Sequence, residues 1–361
     1  MRVLHIFLEQ SLETARRGLV DLCLAGAKSG AFAPVVACLE SSPLVTLLEE
    51  ASVTVLPLSG TGAWRPGVWG RLNKARRIHD FSIVHTHDSL AARLGAKCRQ
   101  AWPGLRWIHT CWTPPAPDRV KDLEKLRPAD MLVALSQDGL RRLEAAGFAA
   151  DVLRSIPMGI DPGTCPPREK NNPERLTIAA LGPLVADSGQ AVLLEALALF
   201  KAAHPGLAWE LRLAGEGPLF EQILRQAGAA GIGEHMAFLG PQQPCAVLPY
   251  CDMLIAPDLR GENGCEAVKW AWAAGLPVIC SDLPVHAEMV SDGENGRIVP
   301  REDAAALGEA LAALRGDSDL QRKLAQSGRV SLEDYTLKSM VESNARVYKD
   351  LADAAGTGDH L

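Results

Sequence analysis

The sequence predicts an α/β protein built from two successive doubly wound domains. Short, fully apolar segments of strand length alternate with segments of helical periodicity along most of the 361 residues. A chain of this length exceeds one ordinary hydrophobic core. Apolar strands with intervening helices favour a parallel sheet covered on both faces. We therefore expect two parallel sheets, with ligands bound at the carboxyl ends of the strands and between the domains.

The first half, residues 1–165, is expected to form one domain. Its predicted strands are Val3–Phe7, Pro34–Leu39, Val53–Leu58, Ser82–Thr86, Arg106–His109, Met131–Leu135 and Val152–Ile156. Its predicted helices are Leu12–Lys28, Gly70–Ile78, Leu90–Gln100 and Gly139–Ala146. The following segment PGTCPPREKNNPE is rich in proline, asparagine and charge, which predicts an interdomain linker at 166–175.

The alternation then restarts, which predicts a second domain at 176–330. Its predicted strands are Leu176–Leu181, Glu210–Ala214, Met236–Leu239, Met253–Ala256, Val278–Ser281 and Arg297–Val299. Its predicted helices are Gln190–Ala203, Leu219–Ala230, Cys265–Ala274 and Asp303–Leu314, followed by a terminal helical segment at about Leu320–Ala354. We expect Gly356–Leu361 to fray.

Composition excludes several classes of protein. A formal charge of −6 gives no support to nucleic-acid binding. The nine cysteines are scattered without metal-site spacing, which indicates reduced thiols and a cytoplasmic location. We see no signal peptide and no apolar run long enough to span a membrane.

One stretch of the second half, Pro257–Gly296, is typical of a ligand-binding edge. Glu262 lies where a loop enters a helix, and Gly264 next to it allows close backbone approach to a ligand. A buried strand follows, and then a polar loop that contains Glu288. Carboxylates and amides beside a helix N-terminus suit polyhydroxylated anionic ligands.

This stretch resembles the donor-site signature of the family-4 retaining glycosyltransferases (glycosyl transferases group 1), which have the GT-B fold. Further segments match the family's motifs in order: IVHTHDSLAA at 83–92, His109-Thr110, PMGID at 157–161, LAGEGP at 213–218, CDMLIAPDLRGE at 251–262 and DGENG at 292–296. The resemblance implies two Rossmann-like domains facing a cleft, with a C-terminal helix at 331–361 that crosses back to the first domain.

The resemblance also implies an activity. It implies metal-independent transfer, with retention and without a cofactor, of a sugar from a nucleotide-sugar donor. The implied acceptor is an envelope polysaccharide, a lipopolysaccharide or a lipid-linked glycan, and the implied location is the cytoplasm or the inner face of the cytoplasmic membrane.

The sequence departs from the family where the donor binds. Pro183 and Ser188 occupy the positions of an arginine and a lysine that contact the diphosphate, and Trp270 replaces a glutamate that accepts hydrogen bonds from the ribose. Each lost charge-assisted bond costs about 1.5–3 kcal/mol. Two other hypotheses therefore stay open: a GT-B binding or scaffold protein with impaired catalysis, and a transferase that uses an atypical donor.

The resemblance implies His109 and Glu262 as catalytic residues. His109 would contact the sugar or support charge in the transition state, and Glu262 would accept hydrogen bonds from sugar hydroxyls. Judged from the residues alone, His109 is also consistent with a strand-end histidine bonded to backbone. Glu262 is also consistent with a carboxylate stabilised by the helix dipole.

The candidate donor-binding residues all lie in the second half of the chain, in segments that follow expected strands. They are Gly182, Gly264, Glu266, His286, Glu288, Arg260 and Lys269. Arg260 and Lys269 are candidate replacements for the phosphate cations, or ordinary surface charges. Glu266 lies four residues before Trp270, hence on the same helical face, and replaces the lost carboxylate or is simply solvated. Trp270 stacks on a base or fills the core.

Two short segments resemble metal-binding patterns, and one resembles a membrane-contact pattern. His85 and His87 have a spacing that zinc sites use, but the sequence shows no convincing third ligand. Asp317-Ser318-Asp319 reads as helix-capping residues, so no metal is expected there. The basic, tryptophan-containing segment Ala63–Asp80 suits either contact with anionic lipid or a solvated helix face.

Overall fold

The computed structural model describes residues 1–9, 13–60, 66–112, 123–169, 175–261 and 263–356. The chain divides into two compact units, one formed by Met1–Gly159 with Leu337–Leu361 and the other by Ile160–Thr336. Each unit contains one parallel sheet.

The first unit has the strand order β3-β2-β1-β4-β5-β6-β7, with every described pair parallel. Its strands are β1 (Arg2–Phe7), β2 (Ala33–Leu39), β3 (Thr54–Leu58), β4 (Ile83–Thr86), β5 (Arg106–Cys111), β6 (Met131–Ala134) and β7 (Leu153–Ser155). Its helices are α1 (Glu13–Ser29), α2 (Leu44–Glu50), α3 (Pro66–His79), α4 (Ser89–Ala101) and α5 (Gln137–Ala145). β4 and β6 are buried along their length and β1 is buried from Val3 onward, as expected for a sheet covered on both faces.

The second unit repeats the arrangement with the order β10-β9-β8-β11-β12-β13. Its strands are β8 (Arg175–Leu181), β9 (Ala208–Ala214), β10 (Met236–Gly240), β11 (Met253–Ala256), β12 (Val278–Ser281) and β13 (Arg297–Val299). Its helices are α6 (Gln190–Ala203), α7 (Phe220–Ala229), α8 (Pro244–Val247), α9 (Asn263–Ala274), α10 (Pro284–Met289), α11 (Ala304–Gly316) and α12 (Ser318–Ser331). Both sheets are doubly wound, so the predicted fold class is confirmed.

The division between the units falls before the segment 166–175. Ile160 already belongs to the second unit, because its backbone N–H donates to the Tyr335 carbonyl and it pairs with Thr336. Arg168 forms an ion pair with Asp252, which anchors the next residues to the same unit. The middle of the expected linker, 170–174, lies outside the described residues.

The terminal helical segment is two helices, not one. A 3₁₀ turn at Leu332–Tyr335 separates α12 from α13 (Leu337–Gly356), and only α13 belongs to the first unit. Asp317 caps α12 by accepting hydrogen bonds from the backbone of Asp319 and Leu320, so the capping interpretation of this acidic run is confirmed.

Candidate functional site

The carboxyl edge of the first sheet carries His109. His109 lies near the end of β5, directly beside Thr86 of β4, and only 6% of its surface is exposed. Its Nδ1 is 2.8 Å from the Thr86 hydroxyl. Burial, with a smaller contribution from the charge of Lys125, lowers the pKa of His109 to about 3. The ring is therefore neutral at physiological pH.

Asp88 holds the first residues after β1 at the same edge. Its Oδ1 caps α4 by accepting from Leu90 and Ala91, and its Oδ2 accepts from Leu8 at 2.6 Å. Burial raises the pKa of this carboxyl, while the backbone N–H groups lower it. One buried carboxylate thus joins the ends of β1 and β4.

Sequence reasoning missed His5, which completes a buried cluster with His85 and His87. His5 lies opposite His85 in the parallel register of β1 and β4, so their side chains share one face of the sheet. All three rings are at most 1% exposed. Burial lowers the pKa of each: to about 3 for His5, and well below 6.5 for His85 and His87, where neighbouring histidines add to the effect.

The hydrogen bonds of this cluster decide how it should be interpreted. One ring nitrogen from each histidine lies within 4.8 Å of the corresponding nitrogens of the other two, which is close enough for a shared metal ion. However, His5 Nδ1 and His87 Nε2 are hydrogen-bonded at 3.0 Å. Both nitrogens of His85 also have hydroxyl partners at 2.7 Å, Tyr348 on α13 and Thr110 on β5. The cluster is therefore a buried hydrogen-bonded network, in which His5 Nε2 and His87 Nδ1 have no partner among the described residues.

The carboxyl edge of the second sheet is built from loops that are bonded to one another. Gly182, after β8, donates to Ala214, and Gly215, after β9, donates to Gly240 at the end of β10. A side chain at Gly215 would lie 1.8 Å from the Gly182 carbonyl oxygen, so only glycine permits this approach. The candidate residue Gly182 thus lies in a closely packed stack of loops.

The loop after β8 is also bonded to the loop after β11. Leu259 and Arg260 both donate backbone hydrogen bonds to the Asp187 carbonyl, at 2.7 and 3.2 Å. At Gly189 the backbone has φ of +67°, and an added Cβ would lie 2.0 Å from the Pro257 carbonyl oxygen. The loop after β8 and the loop after β11 are therefore held together as one structure.

The cationic candidates differ in accessibility. Arg260 is exposed on the loop after β11. Lys269 is only 5% exposed, and its ammonium lies 5.2 Å from the centre of the Tyr335 ring. Arg260 is therefore the cation that a dissolved anion can reach.

The acidic and histidine candidates are placed differently from one another. Glu266, on α9, accepts a hydrogen bond from the Trp270 indole at 3.2 Å. His286 is fully buried on α10, with Nδ1 at 3.0 Å from the Ser281 carbonyl, while Glu288 on the same helix is partly exposed. Burial lowers the pKa of His286 to about 4, so the neutral ring supports the β12–α10 turn.

Glu262 lies outside the described residues. Gly264 lies in the first turn of α9.

Comparisons with known proteins identify the family. Residues 15–164 match the model for Glycosyltransferase Family 4, and residues 166–331 match that for Glycosyl transferases group 1. A phosphatidyl-myo-inositol mannosyltransferase of Mycobacterium leprae is 30% identical over 314 residues, which cover 82% of each chain. The chain belongs to glycosyltransferase family 4.

Three further proteins are similar to this glycosyltransferase at lower identity. A D-inositol 3-phosphate glycosyltransferase of Nocardia farcinica is 27% identical over 277 residues, 68% of this chain and 61% of the relative. The crystal structure of Anabaena Alr3699/HepE with UDP and glucose has a TM-score of 0.80 at 16% identity and covers 97% of this chain and 100% of that one. The lipopolysaccharide outer core galactosyltransferase WaaB in its apo form has a TM-score of 0.72, also at 16% identity, with 97% and 100% coverage. These structures share the GT-B fold.

The structure shows what this glycosyltransferase has at the positions that depart from the family. Ser188 is buried, and its hydroxyl and the Gln190 Oε1 find no partner among the described residues. Pro183 contributes only its carbonyl, which accepts from Gln190 at 3.0 Å. Trp270 is half-buried, whereas Trp272 is fully buried in the core. No side-chain cation therefore comes from positions 183 and 188.

Proposed function

We propose that this family-4 glycosyltransferase moves a sugar from a nucleotide-sugar donor to an envelope polysaccharide, a lipopolysaccharide or a lipid-linked acceptor. We further propose retention of the anomeric configuration and no requirement for a metal ion. The observation that carries the proposal is the 30% identity, over 82% of both chains, to a relative named as a mannosyltransferase. The solved structures with UDP and with UDP-glucose, which share only the fold, support a nucleotide-sugar as the donor class.

The second unit is proposed to hold the donor through its carboxyl-edge loops. Arg260 is exposed on a loop whose backbone is bonded to Asp187, so its position relative to the loop after β8 is fixed. A guanidinium suits a diphosphate because it is always charged and donates several hydrogen bonds. Arg260 would thus replace the charge that Pro183 and Ser188 lack.

Glu266 is proposed to replace the missing carboxylate. Its Oε1 is bonded to the Trp270 indole, which limits the rotamers of the glutamate, and a carboxylate is a suitable acceptor for ribose hydroxyls. Glu262 and the turn near Gly264 would position the sugar. His109 would donate a hydrogen bond to a substrate oxygen, because its neutral ring has one N–H to offer.

A binding panel with UDP, GDP, ADP and CMP forms of sugars, measured by calorimetry, tests the donor proposal. We expect saturable binding of one form, weakened about tenfold or more in Arg260→Ala because a charge-assisted hydrogen bond is lost. Arg225→Ala, an exposed arginine on α7 of the same unit, is the matched control. Binding that is equal in both variants would exclude Arg260 as the phosphate cation.

Turnover decides between an enzyme and a binding protein. Transfer that disappears in Glu262→Ala, with an α-linked product formed from an α-linked donor and full activity in EDTA, would support the complete proposal. The buried Ser188 and the missing loop cations favour the second candidate, a GT-B binding or scaffold protein. Nucleotide binding without transfer to any acceptor glycan would support that candidate instead.

Peripheral membrane contact is proposed for α3. Lys74 and Arg77 are exposed on this helix, and Ile78 beside them is 59% exposed, so a basic face carries one apolar side chain. Trp69 does not contribute, because it stacks on Trp102 at 5.2 Å. No described helix is long and apolar enough to cross a bilayer.

Vesicle sedimentation tests this membrane proposal. We expect binding that rises with the anionic lipid fraction and is lost in Lys74→Glu/Arg77→Glu but not in Arg225→Glu. Binding that does not depend on anionic lipid would contradict it.

A further inference from the structure

A chain of three side chains ends on the His109 ring. The Trp107 indole Nε1 is 2.8 Å from the Thr86 hydroxyl oxygen, and that oxygen is 2.8 Å from His109 Nδ1. Trp107 is fully buried, and Thr86 is as well. Gly95 of α4 packs against both: an added Cβ there would lie 2.3 Å from the indole nitrogen and 2.9 Å from the threonine methyl. Close packing therefore fixes the indole and the threonine side chain relative to each other.

The direction of these hydrogen bonds follows from the donors available. An indole nitrogen can only donate, so Trp107 occupies one lone pair of the Thr86 oxygen. The single Thr86 proton then points either to His109 Nδ1 at 2.8 Å or to the Ile108 carbonyl at 3.3 Å. The second distance exceeds the usual range for an O–H···O bond, whereas the first is normal. The hydroxyl therefore donates to Nδ1.

An acceptor nitrogen carries no proton, which places the proton of the neutral ring on Nε2. Within the described part of the chain Nε2 has no hydrogen-bond partner. It lies on the side of the ring away from the Nδ1–Thr86 bond, and His109 itself lies two residues before the end of β5. The ring thus offers an N–H donor, and not a lone pair, to a ligand.

We infer that Thr86, oriented by Trp107, is a positioning residue that holds His109 as the Nε2–H tautomer and so makes it a hydrogen-bond donor to a substrate oxygen. The inference rests on the proposed function for its ligand, a sugar hydroxyl or another oxygen acceptor, but the tautomer itself is a property of the free protein. In this role His109 cannot act as a general base, because its only lone pair is engaged by Thr86.

Nitrogen NMR of protein labelled with ¹⁵N-histidine tests the tautomer directly. We expect a pyridine-like Nδ1 and a protonated Nε2 for His109, assigned by loss of the signals in His109→Gln. Thr86→Val should turn this single form into a mixture, Trp107→Phe should do so in part, and Thr86→Ser should restore it. Thr110→Val is the matched control: it removes the same kind of hydroxyl from His85 and should leave the His109 signals in place.

Kinetics then connects the tautomer to transfer. We expect Thr86→Val to lower kcat about tenfold, the scale of one lost hydrogen bond, with KM little changed and recovery in Thr86→Ser. A proton on Nδ1 in the native protein, or a Thr86→Val spectrum identical to wild type, would overturn the hydrogen-bond chain whatever the activity. The expected tautomer together with wild-type transfer by His109→Gln would instead overturn the role assigned to His109 and leave the chain intact.

Discussion

Acidification should unfold the first unit before the second. The first unit contains His5, His85, His87 and His109, all buried and all with a pKa far below the ordinary 6.5. The second unit has His286, with a pKa of about 4. A histidine whose pKa is lowered in the folded state binds its proton only after unfolding. Its contribution to the stability of the folded unit is therefore fully present above about pH 6.5. That contribution is lost as the pH falls toward the folded value.

The magnitude follows from the unfolded pKa. At pH 5 protonation stabilises a histidine in the unfolded chain by about 2 kcal/mol. The buried ring stays neutral at this pH and receives no such stabilisation. Four such residues lower the free energy of unfolding of the first unit by about 7–8 kcal/mol between pH 7 and pH 5. A domain is typically stable by about 5–15 kcal/mol, so this loss is a large part of the total. Asp88 opposes it weakly, because its raised pKa lets the native state take up a proton first.

Hydrogen exchange with mass spectrometry at pH 7, 6 and 5, corrected for intrinsic rates, reports each unit separately. We expect the opening free energy of β1 and β4 peptides to fall steeply and that of β8 and β11 peptides to fall much less. His87→Gln should reduce the slope of the first unit's opening free energy against pH by about 1.4 kcal/mol per pH unit. This is the slope that uptake of one proton produces.

Tyr348→Phe is the matched control, because it removes a hydrogen bond of the same cluster without removing a histidine. It should lower stability about equally at each pH. Equal slopes in the two units, or an unchanged slope in His87→Gln, would refute the burial argument.

The other predictions concern single sites. Gly189→Ala should destabilise the second unit by more than 1 kcal/mol, because it combines a positive φ with a clash against Pro257. Urea unfolding measures this loss, and a variant as stable as wild type would contradict the prediction. Asp88→Asn should lower the free energy of unfolding by about 1.5–3 kcal/mol, because an amide cannot replace every charge-assisted bond that the carboxylate accepts, including that from Leu8. An unchanged midpoint of thermal unfolding would refute this. Burial raises the pKa of the Cys280 thiol, so iodoacetamide at pH 8 should alkylate it only in unfolded protein, and rapid labelling of the native chain would contradict this.

Much of the fold could be predicted because it depends on local pattern. Apolar runs such as those of β4 and β11 specify buried parallel strands by their length and composition, and the observed ranges agree with the expected ones within a few residues. The pattern missed α10, which has only six residues and no clear helical period. It also did not show the break at Leu332–Tyr335, because a single 3₁₀ turn does not interrupt the apolar spacing.

The amino-acid sequence alone establishes the alternation of strands and helices, the family resemblance, and the positions where Pro183, Ser188 and Trp270 depart from the family. The contacts between distant side chains become visible in the folded chain. His85 contacts Tyr348, 263 positions away, and His5 joins the same cluster through the register of two strands. Such contacts depend on strand order and register, which hydrophobic periodicity leaves open because it records only which face of each element is buried.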